Sequence, residues 1–207
     1  MPDAGLPDEE KRSTLRQFAA LGAIGPFVSL SEAPTQSDEP ERRAAIRGYL
    51  AASPGIHFSK LRDDLDLGTG ETQYHVRRLV EERSIESVKD GEYRRLFPAG
   101  QFDDRERVAL SYLRRQTPRA MLLRLLERPD VSPAELADEI DVSRSTISRA
   151  AAELETVGLL ERDHGTYTVR DAEILIALLV RYADSFDADT AAFADHVSNV
   201  ISWRGEE

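Results

Sequence analysis

The sequence predicts a mainly α fold with small β-hairpins, an α+β class, in two tandem domains followed by C-terminal helices. Apolar residues recur at helical spacing over most of the chain after residue 40. Two short alternating stretches, each divided by a glycine-containing turn, follow helical segments and predict hairpins. This order of elements occurs twice, about 75 residues apart. At 207 residues, the chain is long enough for two small domains.

The first predicted domain, residues 41–98, contains three helices and a hairpin. Its first helix places apolar side chains on one face and ends at Pro54-Gly55. After a short second helix, Thr69 is the expected N-cap of a third helix that reaches about residue 82. Asp90-Gly91 then separates two alternating stretches, which is a strong hairpin signal.

The second predicted domain, residues 116–170, repeats this order. Thr117-Pro118 predicts an N-cap followed by the first helical residue, and Ser132-Pro133 repeats that arrangement. The third helix is predicted over residues 143–157. A hairpin follows, with its turn near His164-Gly165.

The two third helices align when the sequence is shifted by 75 residues. Their core positions then coincide, with Thr72, Val76 and Leu79 falling on Ile147, Ala151 and Leu154. Three helices followed by a hairpin is the element order of a winged helix-turn-helix domain. In such a domain, the third helix enters the major groove of DNA.

Three further segments complete the chain. Residues 1–40 are predicted to be a leader and linker, partly disordered, and residues 99–115 a connecting helix. Residues 171–207 are predicted to be a C-terminal helical tail. Residues 174–180 are apolar on all sides, which predicts burial in a core or against a second copy. The side chains expected to form a homodimer contact are Ile174, Leu175, Leu178 and Leu179.

The predicted recognition helices carry hydrogen-bond donors. The second helix has no acid at its start, and its predicted DNA contacts are Arg144, Ser145, Thr146, Ser148 and Arg149. Arginine can make two bonds to guanine, and glutamine can make two to adenine. The predicted contacts of the first helix are Gln73, Tyr74, Arg77 and Arg78. Those of the first hairpin, on the DNA backbone, are Lys89, Arg94 and Arg95.

Some of these arginines have a second interpretation. Arg77, Arg78, Arg94 and Arg95 could instead pair with neighbouring glutamates in solvent. Glu71, at the start of the first recognition helix, is a poor neighbour for phosphate. The hydrogen-bond donors of the recognition helix therefore favour the second domain as the one that binds DNA, whereas the net charge of each domain favours the first.

The chain resembles the winged-helix repeats of ArsR/MarR-like regulators, particularly the tandem two-domain regulators common in haloarchaea. The resemblance covers residues 41–170 and rests on "LRDDLDLGTGETQYHVRRLVEERSIESVKDGEYRRLF" and "ELADEIDVSRSTISRAAAELETVGLLERDHGTYTV". It implies a DNA-binding transcriptional regulator that is commonly dimeric. In the first repeat, Arg83-Ser84 stands where a glycine is usual.

Charge and composition narrow the class of protein further. The formal net charge is −11, with 24 arginines, 3 lysines and no cysteine, so thiolate metal sites are excluded. Residues 41–98 hold 11 basic and 10 acidic side chains, whereas the tail holds 2 and 8. The acidic excess therefore lies mainly in the leader and the tail. Scarce lysine and abundant acid suggest a protein that stays soluble in concentrated salt.

The sequence predicts a cytoplasmic, sequence-specific regulator that binds double-stranded DNA, with no cofactor, metal or enzymatic activity. Motifs for a nucleophile–base pair, a phosphate loop or a zinc protease are absent. The alternative is a winged-helix protein-interaction adaptor with little or no DNA binding. In a mixed case, one domain reads DNA and the other binds protein.

The segment at residues 11–30 has a basic start and a short apolar stretch, and it weakly resembles a twin-arginine export signal. The favoured interpretation is a leader that packs on the body of the protein or mediates association, with no membrane involvement.

Overall fold

The computed structural model describes residues 38–163 and 165–203, with side chains for 39–163 and 165–197. The chain divides into two compact units, Met1–Phe102 and Asp103–Glu207. Over these described residues, both units are mainly helical and each contains one small antiparallel sheet, so the predicted fold class is confirmed. The leader over residues 1–37 and the expected turn residue His164 lie outside the described residues.

The described part of unit 1, residues 38–102, contains three helices. They are α1 (Asp38–Ala52), α2 (Phe58–Asp64) and α3 (Thr69–Glu81). The N-terminus of α2 is capped by the side chain of His57, which accepts a hydrogen bond from the Lys60 N–H at 3.2 Å.

The start of α3 differs from the prediction that Thr69 is its N-cap. Thr69 is the first helical residue, and Gly68 is the N-cap in extended backbone. Glycine has no side chain to cap the first-turn N–H groups, and Glu71 reaches back to accept a hydrogen bond from the Gly68 N–H at 3.3 Å.

The unit 1 sheet has three strands in the order β1–β3–β2: β1 (Ile56–His57), β2 (Ile85–Asp90) and β3 (Tyr93–Pro98). β2 and β3 form the predicted hairpin, with Asp90 opposite Tyr93. Gly91 in the turn has φ +60°, a conformation that favours glycine. The two-residue strand β1 was not predicted, and it pairs with the other edge of β3.

The core of unit 1 lies where the helices cover this sheet. It consists of side chains with at most 5 % exposure, namely Ile46, Tyr49, Leu50, Ile56, Leu61, Leu65, Leu79, Ile85 and Leu96. Leu79, which the sequence predicted as a core position of the third helix, is among them, and the half-buried Val76 packs against this cluster, so the outward face of α3 lies opposite these residues.

Unit 2 repeats this order and adds helices at both ends. Its elements are α4 (Asp104–Leu113), α5 (Gln116–Glu127), α6 (Pro133–Ile140), α7 (Arg144–Thr156), β4 (Leu160–Asp163), β5 (Thr166–Val169), α8 (Ala172–Arg181), a 3-10 turn (Ala183–Ser185) and α9 (Ala188–Trp203). Strands β4 and β5 form a hairpin. The helix expected over 99–115 corresponds to α4, which packs against α5 and α8 within unit 2.

The prediction for Thr117 was wrong. Helix α5 begins at Gln116, so Thr117 lies inside its first turn and Arg115 is the N-cap. Pro118 is tolerated at the third helical position because the first-turn N–H groups have no partner within the helix. Ser132 is the N-cap of α6, as predicted, and accepts from the Glu135 N–H at 3.2 Å.

The tail helix α8 fills the core of its own unit. Leu175, Leu178 and Leu179 are buried there, while Ile174 is half-buried. Three of the four side chains expected at a dimer contact are therefore unavailable on the surface of unit 2. Val180, which falls in the stretch expected to be buried, is instead 40 % exposed.

The backbones of the two units agree at the turns around the third helices. Asp66 and Asp141, 75 residues apart, both adopt left-handed conformations, with φ +52° and +57°. After the third helices, Arg83 and Gly158 also both have positive φ. The expected glycine position in unit 1 is thus occupied by an arginine in the conformation that a glycine would adopt.

Candidate nucleic-acid interface

The N-terminus of α7 presents a cluster of hydroxyl groups to solvent. The Ser143 side chain accepts a hydrogen bond from the Thr146 N–H at 3.1 Å. Its Oγ also lies 2.8 Å from both Ser145 Oγ and Thr146 Oγ1. Ser145 and Ser148 are exposed, and Thr146 is half-buried. Hydroxyls and first-turn N–H groups at a helix N-terminus suit a phosphate oxygen.

The two arginines of α7 are both exposed. Among the described residues, neither Arg144 nor Arg149 has an acidic group within 4 Å. Glu153, one turn after Arg149, is the acid that could pair with it. That carboxylate instead contacts the Arg115 guanidinium at 3.0 Å. Arg115 thus removes the nearest competitor for Arg149, a contribution that the sequence did not predict.

The arginines of α3 are held differently. Arg77 Nε lies 2.9 Å from Glu81 Oε1, and Arg78 donates to the other carboxylate oxygen at 3.4 Å. The hydrogen bond from Arg77 lowers the pKa of the Glu81 carboxyl, with Arg78 adding to the effect. Glu81 therefore stays charged and partly neutralises both arginines. This geometry matches the second interpretation of these residues, in which they pair with a nearby glutamate.

Glu71 and His75 lie on the side of α3 that faces α1. Glu71 forms an ion pair with Arg42 and also caps Gly68, so its carboxylate is engaged in holding the two helices. His75 is 3 % exposed, and burial lowers the pKa of its imidazole. Its Nδ1 has no hydrogen-bond partner in the described part of the chain. Through these contacts, Glu71 holds α3 against α1 and caps the N-terminus of α3.

The remaining predicted side chains of α3 point outward. Gln73 is exposed, and Tyr74 is 46 % exposed with its ring edge against His75. Two polar groups and two paired arginines therefore lie along the outward surface of this helix.

Of the three basic side chains that the sequence predicted to contact DNA from the hairpin of unit 1, two are exposed to solvent. Lys89 and Arg94 are exposed. Arg95 is only 4 % exposed, so its side chain is not presented for the DNA contact that the sequence predicted. Its guanidinium lies 2.5 Å from Asp90 Oδ2 and donates to the Gly55 carbonyl at 3.0 Å. The pairing of β3 with β1 places this side chain against the turn before β1.

The hairpin of unit 2 is shorter, and its arginine is also engaged. Arg162 lies 3.2 Å from Glu155 Oε1 and donates to the Tyr167 hydroxyl at 2.7 Å. This side chain therefore joins α7 to the hairpin and is less available to a ligand than Lys89 or Arg94.

No group of three or more potential metal ligands occurs in the part of the chain that the structure describes. Over the same residues, no helix is both long enough and apolar enough to cross a membrane.

Two family models match the chain, each over about a third of its length. Residues 40–110 match a model described as HTH_HVO_0163_N, an N-terminal HTH domain. Residues 107–172 match the HVO_A0261 N-terminal domain. No curated protein matches the chain. The first match indicates a DNA-binding regulator of the helix-turn-helix kind.

Proposed function

We propose that the protein is a sequence-specific regulator of transcription built from two winged helix-turn-helix domains, with α7 as its principal reading helix. The observation that carries this proposal is the outward surface of α7. It combines a hydroxyl cluster at a helix N-terminus with two exposed arginines, Arg144 and Arg149, that have no described acidic partner. In both units, residues with positive φ lie before and after the third helix, and the equivalent positions are 75 residues apart. This correspondence supports two tandem domains of the same kind.

In this proposal, α7 lies in the major groove. Ser143 and Ser145 bind a phosphate oxygen at the helix N-terminus and set the register. Arg149, near the middle of the helix, makes a two-bond contact with a guanine, and Arg144 contacts either a base or the backbone. Ser148 completes the base-facing surface.

Unit 1 contributes a second contact surface. Gln73 and Tyr74 face the bases, while Lys89 and Arg94 on its hairpin bind the DNA backbone. Arg77 joins them only when phosphate or a base displaces Glu81. The contribution of α3 to affinity is therefore smaller than that of α7.

Salt affects this mode of binding in a specific way. Each phosphate contact makes affinity fall with rising salt, because a counterion released into more concentrated salt gains less entropy. A chain with 3 lysines and a net charge of −11 gains little from such release. Direct hydrogen bonds and shape fit then supply the affinity. Avidity from a homodimer would add to it, and Val180 of α8, which is 40 % exposed, is available for such a contact.

The proposal is tested by mapping the chromatin sites of the tagged protein and measuring binding to one such site in molar KCl. We expect the double variant Arg144→Ala/Arg149→Ala to lose sequence preference. Arg170→Ala is the matched control, because Arg170 is exposed in unit 2 but lies beyond the hairpin and pairs with Glu161. Equal binding by both variants would overturn the assignment of α7.

The second candidate function is a protein-interaction adaptor, and the exposed apolar side chains of unit 1 favour it. Tyr74, Val80 and Tyr93 are all more than a third exposed. A pull-down combined with cell fractionation separates the two functions. A protein found wholly on chromatin excludes the adaptor, and one found off chromatin with a stable partner supports it.

A further inference from the structure

An apolar groove lies between α3 and the β2–β3 hairpin of unit 1. It encloses about 430 Å³. Four apolar side chains line it, from α2, α3 and β3, namely Phe58, Val76, Val80 and Leu96. Arg77 and Glu81 at its edge form an ion pair with each other, so this part of the rim is close to neutral. Because four of the lining side chains are apolar, the groove suits an apolar segment.

The corresponding place in unit 2 is closed by an ion pair. A shift of 75 residues places Val80 on Glu155 and Ser87 on Arg162. In unit 2 these two side chains contact each other at 3.2 Å across the space between α7 and β4. In unit 1 an apolar side chain and a small one leave that space open. The groove is thus a property of unit 1 and does not follow from the shared arrangement of elements.

The leader contains a segment whose chemistry matches the groove. Residues 17–31 hold no charged side chain, although 31 % of the whole chain is charged. Their apolar side chains are Phe18, Leu21, Ile24, Phe27, Val28 and Leu30. Removing such side chains from water is favourable, which provides a driving force for docking.

The leader is also long enough to reach the groove. The described chain begins at Asp38, the first residue of α1. Near its start, α1 lies against α3, because Arg42 pairs with Glu71. Residues 31–37 can span roughly 25 Å when extended, at about 3.3–3.6 Å per residue. A helix is about 10–12 Å across, so this length suffices to pass around α3.

We propose that residues 17–30 dock in the groove between α3 and the β2–β3 hairpin of the same chain. The docked segment covers Val80 and lies beside Gln73, Arg77 and Arg94. It therefore shields the face of α3 that the proposed function assigns to DNA. The masking of DNA contacts rests on that function, whereas the docking itself does not.

The experiment uses the absence of cysteine in the chain. Val80→Cys places a single thiol in the groove, and Val180→Cys is a matched control in unit 2, since the two valines are 38 % and 40 % exposed. Thiol labelling by a small maleimide is measured for each full-length variant. It is then repeated with Leu21→Asp/Ile24→Asp in the leader, and with Ser13→Asp/Thr14→Asp as the leader control.

We expect the thiol at position 80 to label about tenfold more slowly with the native leader than with Leu21→Asp/Ile24→Asp, a difference of about 1.4 kcal/mol. Neither leader variant should change labelling at position 180. A rate at position 80 that is independent of the leader overturns the proposal. Protection that increases with protein concentration also overturns it, because the occupant is then a second copy.

A cross-link provides a second readout that requires no comparison of rates. The variant Val80→Cys/Ala23→Cys should form an intramolecular disulfide at low protein concentration, whereas Val180→Cys/Ala23→Cys should not. Equal cross-linking by the two pairs contradicts the proposed site. Because neither assay contains DNA, the docking can fail or succeed independently of the proposed function.

Discussion

Helices α3 and α7 occupy equivalent places in their units but hold their arginines differently. In α3, Arg77 and Arg78 share Glu81, and the acid is one turn or less away. In α7, Arg149 is left exposed because the nearest acid, Glu153, is bound by Arg115. The net charge of each unit does not reveal this difference. The availability of a cation depends on whether its neighbouring acid is already engaged.

The two sequence criteria for the domain that reads DNA disagreed. Charge favoured residues 41–98 as the DNA reader, whereas helix chemistry favoured residues 143–157. The ion pairs of α3 reduce the cationic charge that unit 1 offers, which supports the criterion based on helix chemistry.

The largest effect we expect comes from the core positions that the two helices share. Leu79 and Leu154 are both fully buried at equivalent positions. Replacing either by alanine should reduce the free energy of unfolding of its unit by about 2–5 kcal/mol, through lost burial and a remaining cavity. Hydrogen exchange measured by mass spectrometry would assign the loss to one unit. Similar losses would indicate that the units share one scaffold, and a loss confined to one variant would break the comparison.

The next effect concerns binding to a mapped DNA site. Arg149→Ala should weaken binding by about 1–3 kcal/mol, the range for a two-bond contact with guanine. Arg77→Ala should weaken it by less than about 1 kcal/mol, since this arginine must first leave Glu81. Fluorescence anisotropy in molar KCl measures both.

A control variant sharpens that measurement. Glu81→Gln removes the competing charge without shortening the side chain, so it should increase the loss caused by Arg77→Ala. A larger loss from Arg77→Ala than from Arg149→Ala in the unmodified background would reverse the assignment of the principal helix.

The sequence predicted the helices that carry these side chains because their cores repeat at regular spacing. Leu79 and Leu154 follow from periodicity alone, and the hairpin of unit 1 follows from Asp90-Gly91. Local signals were weaker at helix starts. Threonine is a residue type that often caps helices, but α5 already begins at Gln116, so Thr117 is not its N-cap. The start of this helix is visible only in the folded structure.

The availability of side chains was predicted less well, because it depends on residues distant in sequence. The sequence predicted Arg95 as an exposed cation, but its side chain is buried where β3 pairs with the two-residue strand β1, and it donates to the Gly55 carbonyl, 40 positions away. The contact between Arg115 and Glu153 likewise joins positions separated by 38 residues. No periodicity encodes either contact.

A smaller effect is expected at the turn that follows each third helix. Arg83 has φ +55° and Gly158 has φ +76°. Arg83→Gly should stabilise unit 1 by about 0.5–1 kcal/mol, because the relief of backbone strain exceeds the added chain entropy of the unfolded state. Gly158→Ala should destabilise unit 2 by about 1 kcal/mol, although an added Cβ meets no atom within 4 Å.

Urea unfolding of the two turn variants provides the measurement. Opposite signs would show that both turns require the left-handed conformation. If Arg83→Gly destabilised unit 1, contacts of the arginine side chain would outweigh the strain, and the equivalence of the two turns would fail.

The smallest effect is expected from removing Arg115, which keeps Glu153 from pairing with Arg149. Arg115→Ala should release Glu153 to pair with Arg149 one turn earlier in α7, an interaction of about 0.2–0.5 kcal/mol in helices. DNA binding should weaken by a similar amount, roughly twofold. The double variant Arg115→Ala/Glu153→Gln should restore it, because the released side chain then carries no charge. If the double variant bound as weakly as Arg115→Ala, Arg115 itself would contact DNA or support the fold. Restoration would instead show that an arginine outside the helix determines which of the two helices presents free cations.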